Sequence, residues 1–309
     1  CVERVRLTFP LTLSVSGVRV DDGQSLVLAA EALELDIAFA PLFSGRVDVE
    51  QLALEQVEVD TKTLISETRL VGTLGHLSAQ SRSVDIAEQL VNLNRLHIAD
   101  AQLTIEMVDS IAPDTTTSEP LPWKMLLPEV TVQNIAVAFS MPEDSVLAFA
   151  RIGGARLETA QLNLLSGHYS AKQFQLRESS LALSAGVDSI MTTDAQFEMF
   201  LQHRSAHGVQ PCFAYFVDSL GCSIDSVDYG ANGVLTARLY DATLREQGGL
   251  ELSDLAAMVY MDSAQIVLPA VLLTTPHTLL SASANVPFAA LEPHNEDLLR
   301  VRMDAQVGY

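Results

Sequence analysis

Lysine is nearly missing from this sequence. Lys62, Lys124 and Lys172 are its only lysines, and 18 basic residues in all face 39 acidic ones, for a net charge of −21. Such a surface repels phosphate backbones and anionic headgroups, which excludes nucleic-acid binding and flat docking on an acidic membrane through a basic patch. No apolar run approaches the ~18 residues of a membrane-spanning helix. No basic start followed by an apolar segment marks a secretory signal. Aromatic residues make up only 6%, too few for a sugar-stacking cleft. The three cysteines, Cys1, Cys212 and Cys222, are too few and odd in number for a disulfide scaffold. Cys212 and Cys222 either bridge across a hairpin in an oxidising compartment or sit as two buried thiols.

Residue patterns of chemistry are equally scarce. Of the seven histidines only His203 and His207 have ligand-like spacing, and no further ligands stand near them. There is no Gly-x-Ser-x-Gly elbow and no phosphate loop. Ile152-Gly153-Gly154-Ala155 precedes no helix and reads as a bulge or a close backbone approach. Acids such as Asp48, Glu50, Glu55 and Glu58 fall between apolar positions, as on the solvated face of a half-buried sheet. Trp123, the only tryptophan, reads as an anchor or core residue. The sequence is therefore expected to be non-enzymatic, without metal or cofactor.

What the chain does have is a recurring spacing. The apolar positions Val47, Val49, Leu52, Leu54, Val57 and Val59 advance by two, three, two, three, two. The same steps recur at Val91, Leu93, Leu96, Ile98, Ala101 and Leu103, again at Met125, Leu127, Val130, Val132, Ile135 and Val137, and again from Ala150 to Leu162. Shorter echoes occupy Cys222 to Tyr229 and Ile266 to Leu273. A step of two is an extended strand with one buried face, whereas a helix needs steps of three and four. A step of three would flip the pattern to the other face unless an extra residue is absorbed as a bulge or sharp corner. Repeated many times, this makes a curved sheet with one continuous apolar side.

Cleaner alternation runs from Leu7 to Val15 and over Leu33, Leu35, Ile37 and Phe39. Turns are marked at Asp21-Asp22-Gly23, Ser44-Gly45, Ala231-Asn232-Gly233 and Gln247-Gly248-Gly249. Short helices are expected at Thr63 to Ser66 and Ile86 to Leu90. The polar stretch Pro113 to Pro120 divides the chain into 1–112 and 121–309, with the same spacing on both sides, so it reads as a long loop in one architecture. Residues 203–211 read as another loop. The fold expected is all-β: one elongated, mostly antiparallel curved sheet over 1–309, a groove-like stack with a few short helices. Strand-like sequence at both ends suggests a piece of a longer protein. A lipoprotein, which would also begin with Cys, normally follows it with a polar tether.

Several segments carry a resemblance. They are Leu7-Thr8-Phe9-Pro10-Leu11-Thr12-Leu13, Pro41-Leu42-Phe43 ahead of Val47-Asp48-Val49, and Leu70-Val71-Gly72-Thr73-Leu74-Gly75-His76-Leu77. Pro122-Trp123-Lys124 and Arg177-Glu178-Ser179-Ser180-Leu181 follow. In order and strand spacing the sequence resembles the N-terminal periplasmic part of TamB-like (translocation and assembly module) proteins of Bacteroidota, within the AsmA-like group. The resemblance covers most of the chain and is weaker from about 190 to 235. It implies a taco-shaped β-sheet in the periplasm of a Gram-negative bacterium, in a protein anchored in the inner membrane. It further implies phospholipid transport toward the outer membrane and outer-membrane biogenesis, with acyl chains as ligand and an outer-membrane β-barrel as partner through regions outside this sequence.

The apolar stripe supplies the candidate groove wall: Leu33, Leu35, Ile37, Leu52, Leu54, Val57, Val59, Leu96, Ile98, Leu103, Ile105, Val132, Ile135 and Val137. The stripe also admits a closed core, and with it a structural scaffold or a docking module for outer-membrane protein assembly. A carbohydrate-active β-helix is a third reading, and the low aromatic content speaks against it.

Overall fold

The computed structural model describes residues 1–9, 11–21, 26–39, 49–62, 68–85, 88–107, 123–141, 146–185, 213–288 and 302–308. They form one all-β sheet of sixteen strands. The strands are β1 (Arg4–Thr8), β2 (Thr12–Asp21), β3 (Leu26–Ile37), β4 (Val49–Asp60), β5 (Thr68–Asp85) and β6 (Leu90–Met107). Then come β7 (Lys124–Met141), β8 (Val146–Asn163), β9 (His168–Ala185), β10 (Phe213–Tyr229) and β11 (Leu235–Glu246). The chain continues through β12 (Glu251–Leu252), β13 (Asp254–Met261), β14 (Gln265–Thr274), β15 (Leu279–Pro287) and β16 (Arg302–Gly308). Spatial order follows chain order from β1 to β16, except that the two-residue β12 pairs only with β11. At roughly 4.8 Å per strand the sheet extends on the order of 65 Å across its strands.

Every neighbouring pair is antiparallel but one. β6 and β7 run parallel, from Leu90↔Lys124 to Glu106↔Ser140. A purely sequential meander would make this pair antiparallel too. Parallel neighbours need a connection of about a dozen residues or more, and 108–123, which contains the polar 113–120 stretch, meets that length. The described strands before and after that stretch are thus hydrogen-bonded parts of one sheet. A β-helix, in which successive strands run parallel, is excluded by the hairpin pairing on either side of this junction.

The expected steps of three take a specific form. In the upper half of the strands, Gln56, Asp100, Asn134 and Glu178 have left-handed backbone, with φ between 47° and 56°. The register places them level with one another. Pairing resumes on both sides of Gln56 (Glu55↔His76, Val57↔Leu74) and on both sides of Asp100 and Asn134 (Ala99↔Gln133, Ala101↔Ile135). The spacing alone leaves a bulge and a sharp corner both open. From β4 to β9 neighbouring strands turn together at this level and no pair slips register there, so these features are shared corners; between β9 and β10 the register does shift, around Leu220↔Ser179. Glycines supply the space. An added Cβ on Gly75 would lie 2.8 Å from Asp100 Cβ, and one on Gly153 would lie 2.5 Å from the Glu178 carbonyl. Across the parallel pair, Asn134 Nδ2 donates to Asp100 Oδ1 at 2.6 Å.

A second row of corners crosses the lower half. Thr159 and Ser226 have φ of 52° and 53°. Pro128 lies level with Thr159, between Leu127↔Ala160 and Glu129↔Glu158. In this row genuine register shifts do occur, at Ser81 in β5 and at Asp36/Ile37 in β3. The two rows divide β5 to β10 into upper, middle and lower panels, and they coincide with the two steps of three in each sequence unit. In β7 they are six residues apart, so the middle panel is about 20 Å wide at ~3.3 Å per residue.

The turns at Ala231-Asn232-Gly233 and Gln247-Gly248-Gly249 are present, the first closed by Gly233 N–H donating to the Gly230 carbonyl. Most of Asp21-Asp22-Gly23, all of Ser44-Gly45, and residues 63–66, 113–120 and 203–211 lie outside the described residues. Of the helix expected at 86–90, Glu88 and Gln89 form a turn and Leu90 already opens β6. No helix is completed among the described residues, and none is long and apolar enough to cross a membrane.

Candidate functional site

Residues directly paired across a ladder point to the same face of a sheet. The register therefore assigns faces without ambiguity. In the middle panel one row reads Leu13, Leu35, Leu52, Ala79, Leu96, Val130, Leu157, Phe174 and Ile224 from β2 to β10. The row above it reads Val15, Leu33, Leu54, Leu77, Ile98, Val132, Ala155, Leu176 and Cys222. Above the upper corner the same face continues through Val57, Leu74, Ala101 and Ile135, then Val59, Gly72, Leu103 and Val137, then Leu70, Ile105 and Phe139. None of these rows contains a charged residue.

All fourteen candidate wall residues lie on this one face. Ile135, beside the upper corner, is buried, and the other thirteen are half-buried. That intermediate exposure is informative. A side chain sealed between two sheets loses nearly all its surface, whereas these thirteen retain part of theirs. The lower corner is tighter. Leu93, Leu127 and Ala160 are buried there, with Leu96, Val130 and Leu157 packing from the middle panel and Val91, Met125 and Leu162 from the lower one. Contact across the corner puts the apolar face on its inside.

The opposite face of the middle panel is polar. Glu129 accepts from Arg95 Nε at 3.1 Å and pairs with Arg156 at 3.3 Å, and Arg156 also pairs with Glu158 at 3.0 Å. His97 Nδ1 meets Thr131 Oγ1 at 2.8 Å, and its ring lies 5.9 Å from that of His76. In the upper panel Asp60 accepts two hydrogen bonds from Arg69, at 3.1 and 3.0 Å, and Glu106 lies 3.8 Å from the same guanidinium. The hydrogen bonds from Arg69 hold the Asp60 carboxyl below its ordinary pKa. These residues border a recess of about 620 Å³ whose lining includes Thr73, Gln102 and Thr104. Most of its lining belongs to the face behind the apolar rows, and Val59 and Gly72 of those rows also border it.

Two features escaped the reading of the sequence. Ala138, Phe149, Ala182 and Phe216 form a buried cluster on the polar side of the upper panel. They alternate with groove-facing residues, so both faces are apolar there, and continuous apolar character in 147–150 was the available signal. At the foot of β9 and β10, Tyr169 and Tyr229 stack with ring centroids 6.1 Å apart, where the apolar face ends.

Cys222 is a free thiol on the apolar face, its pKa raised by burial. Cys212 lies outside the described residues, as do His203 and His207. Trp123 is half-buried just before β7, its carbonyl accepting from Leu164 N–H. Among the described residues no group of three or more His, Cys, Asp or Glu side chains is placed to hold a metal ion. In comparisons with known proteins, no family model matches the chain and no characterised sequence matches it.

Proposed function

We propose that this sheet is a non-enzymatic carrier surface for lipid acyl chains, acting in the periplasm of a Gram-negative envelope as TamB/AsmA-like proteins are understood to act. The observation that carries the reading is the uncharged apolar face, continuous over nine strands from β2 to β10 and left half-exposed. Acyl chains lie against Leu, Ile and Val side chains at about 0.8 kcal/mol per methylene removed from water. A bilayer offers the same gain, so transfer between bilayer and groove is close to neutral. The groove thereby lowers the cost of crossing water without trapping its cargo. Headgroups remain in water at the open strand ends.

The test is site-specific lipid cross-linking in the envelope. Leu54→Asp and Ile98→Asp place a charge in the middle of the apolar face and are expected to abolish cross-linking while expression persists. Cross-linking at the parental level in both variants would overturn the proposal. A second reading, a scaffold or docking module with a closed core, draws on the buried Leu93–Leu127–Ala160 corner. An apolar fluorescent probe separates the two: an open groove binds it in the native state and a sealed core does not.

A further inference from the structure

The apolar face ends at unequal distances above and below its middle panel. In β9 the upper corner lies at Glu178 and the lower one is level with Thr159, which leaves Ser179 to Ala185 above and His168 to Ala171 below. At ~3.3 Å per residue the upper panel is about 23 Å tall and the lower one about 13 Å. The lower panel also turns toward the apolar side, since Leu93, Leu127 and Ala160 are buried inside its corner. A lipid whose acyl chains cover the middle panel therefore reaches water soonest across the lower lip, and its headgroup comes to rest there.

The last apolar row at that lip reads Val91, Met125, Leu162, Tyr169, Tyr229 and Leu235 from β6 to β11. Its only rings are the two tyrosines, which pair directly across β9 and β10. Their planes lie within 14° of parallel with centroids 6.1 Å apart, and each residue is 36% exposed. Packing inside a closed core would cover both rings, whereas this pair leaves π surface open where the apolar face meets water. On the other face of the same strand ends, Asp228 lies 3.1 Å from His168, and its side chain is 54% exposed. His168 offsets that carboxylate only when protonated. Lys124 is exposed at the start of β7, two strands from β9 and so about 10 Å along the lip. A π surface beside a carboxylate attracts a cation, and a lysine attracts phosphate. The net charge of −21 favours the same cation from a distance.

We infer that Tyr169 and Tyr229 form a headgroup subsite of the groove, which selects diacyl lipids whose headgroup carries an ammonium group. The inference rests on the reading of the apolar face as a lipid carrier and adds which lipid that carrier prefers. The ammonium lies over the tyrosine rings, within the ~6 Å of a ring centroid at which cation–π attraction acts. Asp228 adds negative potential at the end of β10, and the phosphate turns toward Lys124. Glycerophospholipids share that phosphate, so selection falls to the tyrosines. A headgroup that ends in glycerol brings net negative charge to an acidic chain and offers the rings no cation. The π faces, and not the phenol hydroxyls, carry the selection, so phenylalanine preserves it and leucine does not.

The test uses the full 309-residue chain and vesicles of equal parts phosphatidylethanolamine and phosphatidylglycerol with identical acyl chains. The vesicles are removed after incubation, and the lipid held by the chain is quantified by mass spectrometry. The unaltered chain is expected to hold phosphatidylethanolamine in excess. Leucine flanks the tyrosines in the row, at Leu162 and Leu235, so Tyr169→Leu/Tyr229→Leu keeps the apolar lip and removes only the rings. That variant should lower the preference by about two- to fivefold, the ratio given by one exposed cation–π contact, with total bound lipid unchanged. Tyr169→Phe/Tyr229→Phe should keep the preference of the unaltered chain. An unchanged preference in the leucine variant assigns selection to the overall negative charge and overturns the subsite. Loss of preference in the phenylalanine variant also overturns it, by assigning selection to the hydroxyls. Lipid bound by the unaltered chain without preference overturns this inference alone and leaves the carrier standing. No bound lipid of either kind overturns both.

Discussion

Strands β5 to β10 and strands β13 to β15 follow the same apolar steps with different results. The first group runs 17 to 18 residues per strand, crosses two corner rows and has an apolar inner face backed in its middle panel by a polar one. The second group runs 8 to 10 residues. Its β14 and β15 share one irregularity, between Leu268 and Val271, where the sequence takes its single step of three. On its groove-side face lie Leu255, Ala257, Leu273 and Val271. Its other face carries Met258, Tyr260, Leu272 and Leu279, all exposed, where the longer strands carry Arg95, Glu129, Arg156 and Glu158. Strand length thus sets how many panels the sheet has. The polar back face, and not the apolar front alone, makes the front a distinct surface.

The largest effect expected from this contrast is on packing. Leu127 is buried at the lower corner, and Leu127→Ala should cost about 2–5 kcal/mol in urea unfolding. Leu272 is exposed in β14, and Leu272→Ala should change stability by no more than roughly 0.5 kcal/mol. Similar costs at both sites would mean that the back face of the short strands is covered, and the contrast between the regions would fail.

A second comparison lies within the long strands. Gly153 and Gly154 are adjacent in β8, yet only Gly153 sits against a neighbouring backbone. Gly153→Ala forces its Cβ toward the Glu178 carbonyl and should destabilise by about 1–3 kcal/mol. Gly154 has no atom within 4 Å of an added Cβ and has no left-handed φ. Gly154→Ala should be neutral or stabilise by up to about 1 kcal/mol, because it narrows the unfolded ensemble. Opposite signs in thermal or urea unfolding would show that the upper corner depends on close approach of its strands. Equal effects would show that it does not.

This pair also shows how far the sequence could be read. The steps of three in 47–59, 91–103 and 125–137 locate Gln56, Asp100 and Asn134, because a strand cannot keep one face apolar across an odd step without turning. Local spacing carries that information, and it carries the common face of the fourteen groove residues as well. It does not say whether a turn is absorbed by one strand or shared, since that depends on what the neighbour does at the same level. The parallel β6–β7 pair was invisible for the same reason: both strands have the same apolar steps, and direction is set by a connection whose composition is merely polar. The Phe149–Phe216 cluster was hidden because alanines at 136, 138 and 182 weaken the alternation that would have revealed two apolar faces.

The smallest effect expected concerns the ion pairs, which among the described residues include Asp60–Arg69, Arg95–Glu129, Arg156–Glu158 and His168–Asp228. Asp60 is held below its ordinary pKa first by the hydrogen bonds from Arg69. Its unfolded-state value is near the usual ~3.9 for an aspartate. A depressed folded pKa means that the native state releases its proton more readily than the unfolded one. The resulting stability is present above the unfolded value and is lost as pH falls through the folded value. Asp60→Asn should therefore lower the urea midpoint at pH 7 and at pH 5 by the same small amount, and the gap to the parental chain should close below about pH 4. Arg69 is 41% and Asp60 26% exposed, so screening limits the gap to about 0.2–1 kcal/mol. The same scan with 1 M salt should reduce it further. A gap that persists to pH 2 would show that the Asp60 side chain acts through packing and not through its charge. The polar back face would then owe its stability to the shape of its side chains, and its ion pairs would contribute little to the contrast with the short strands.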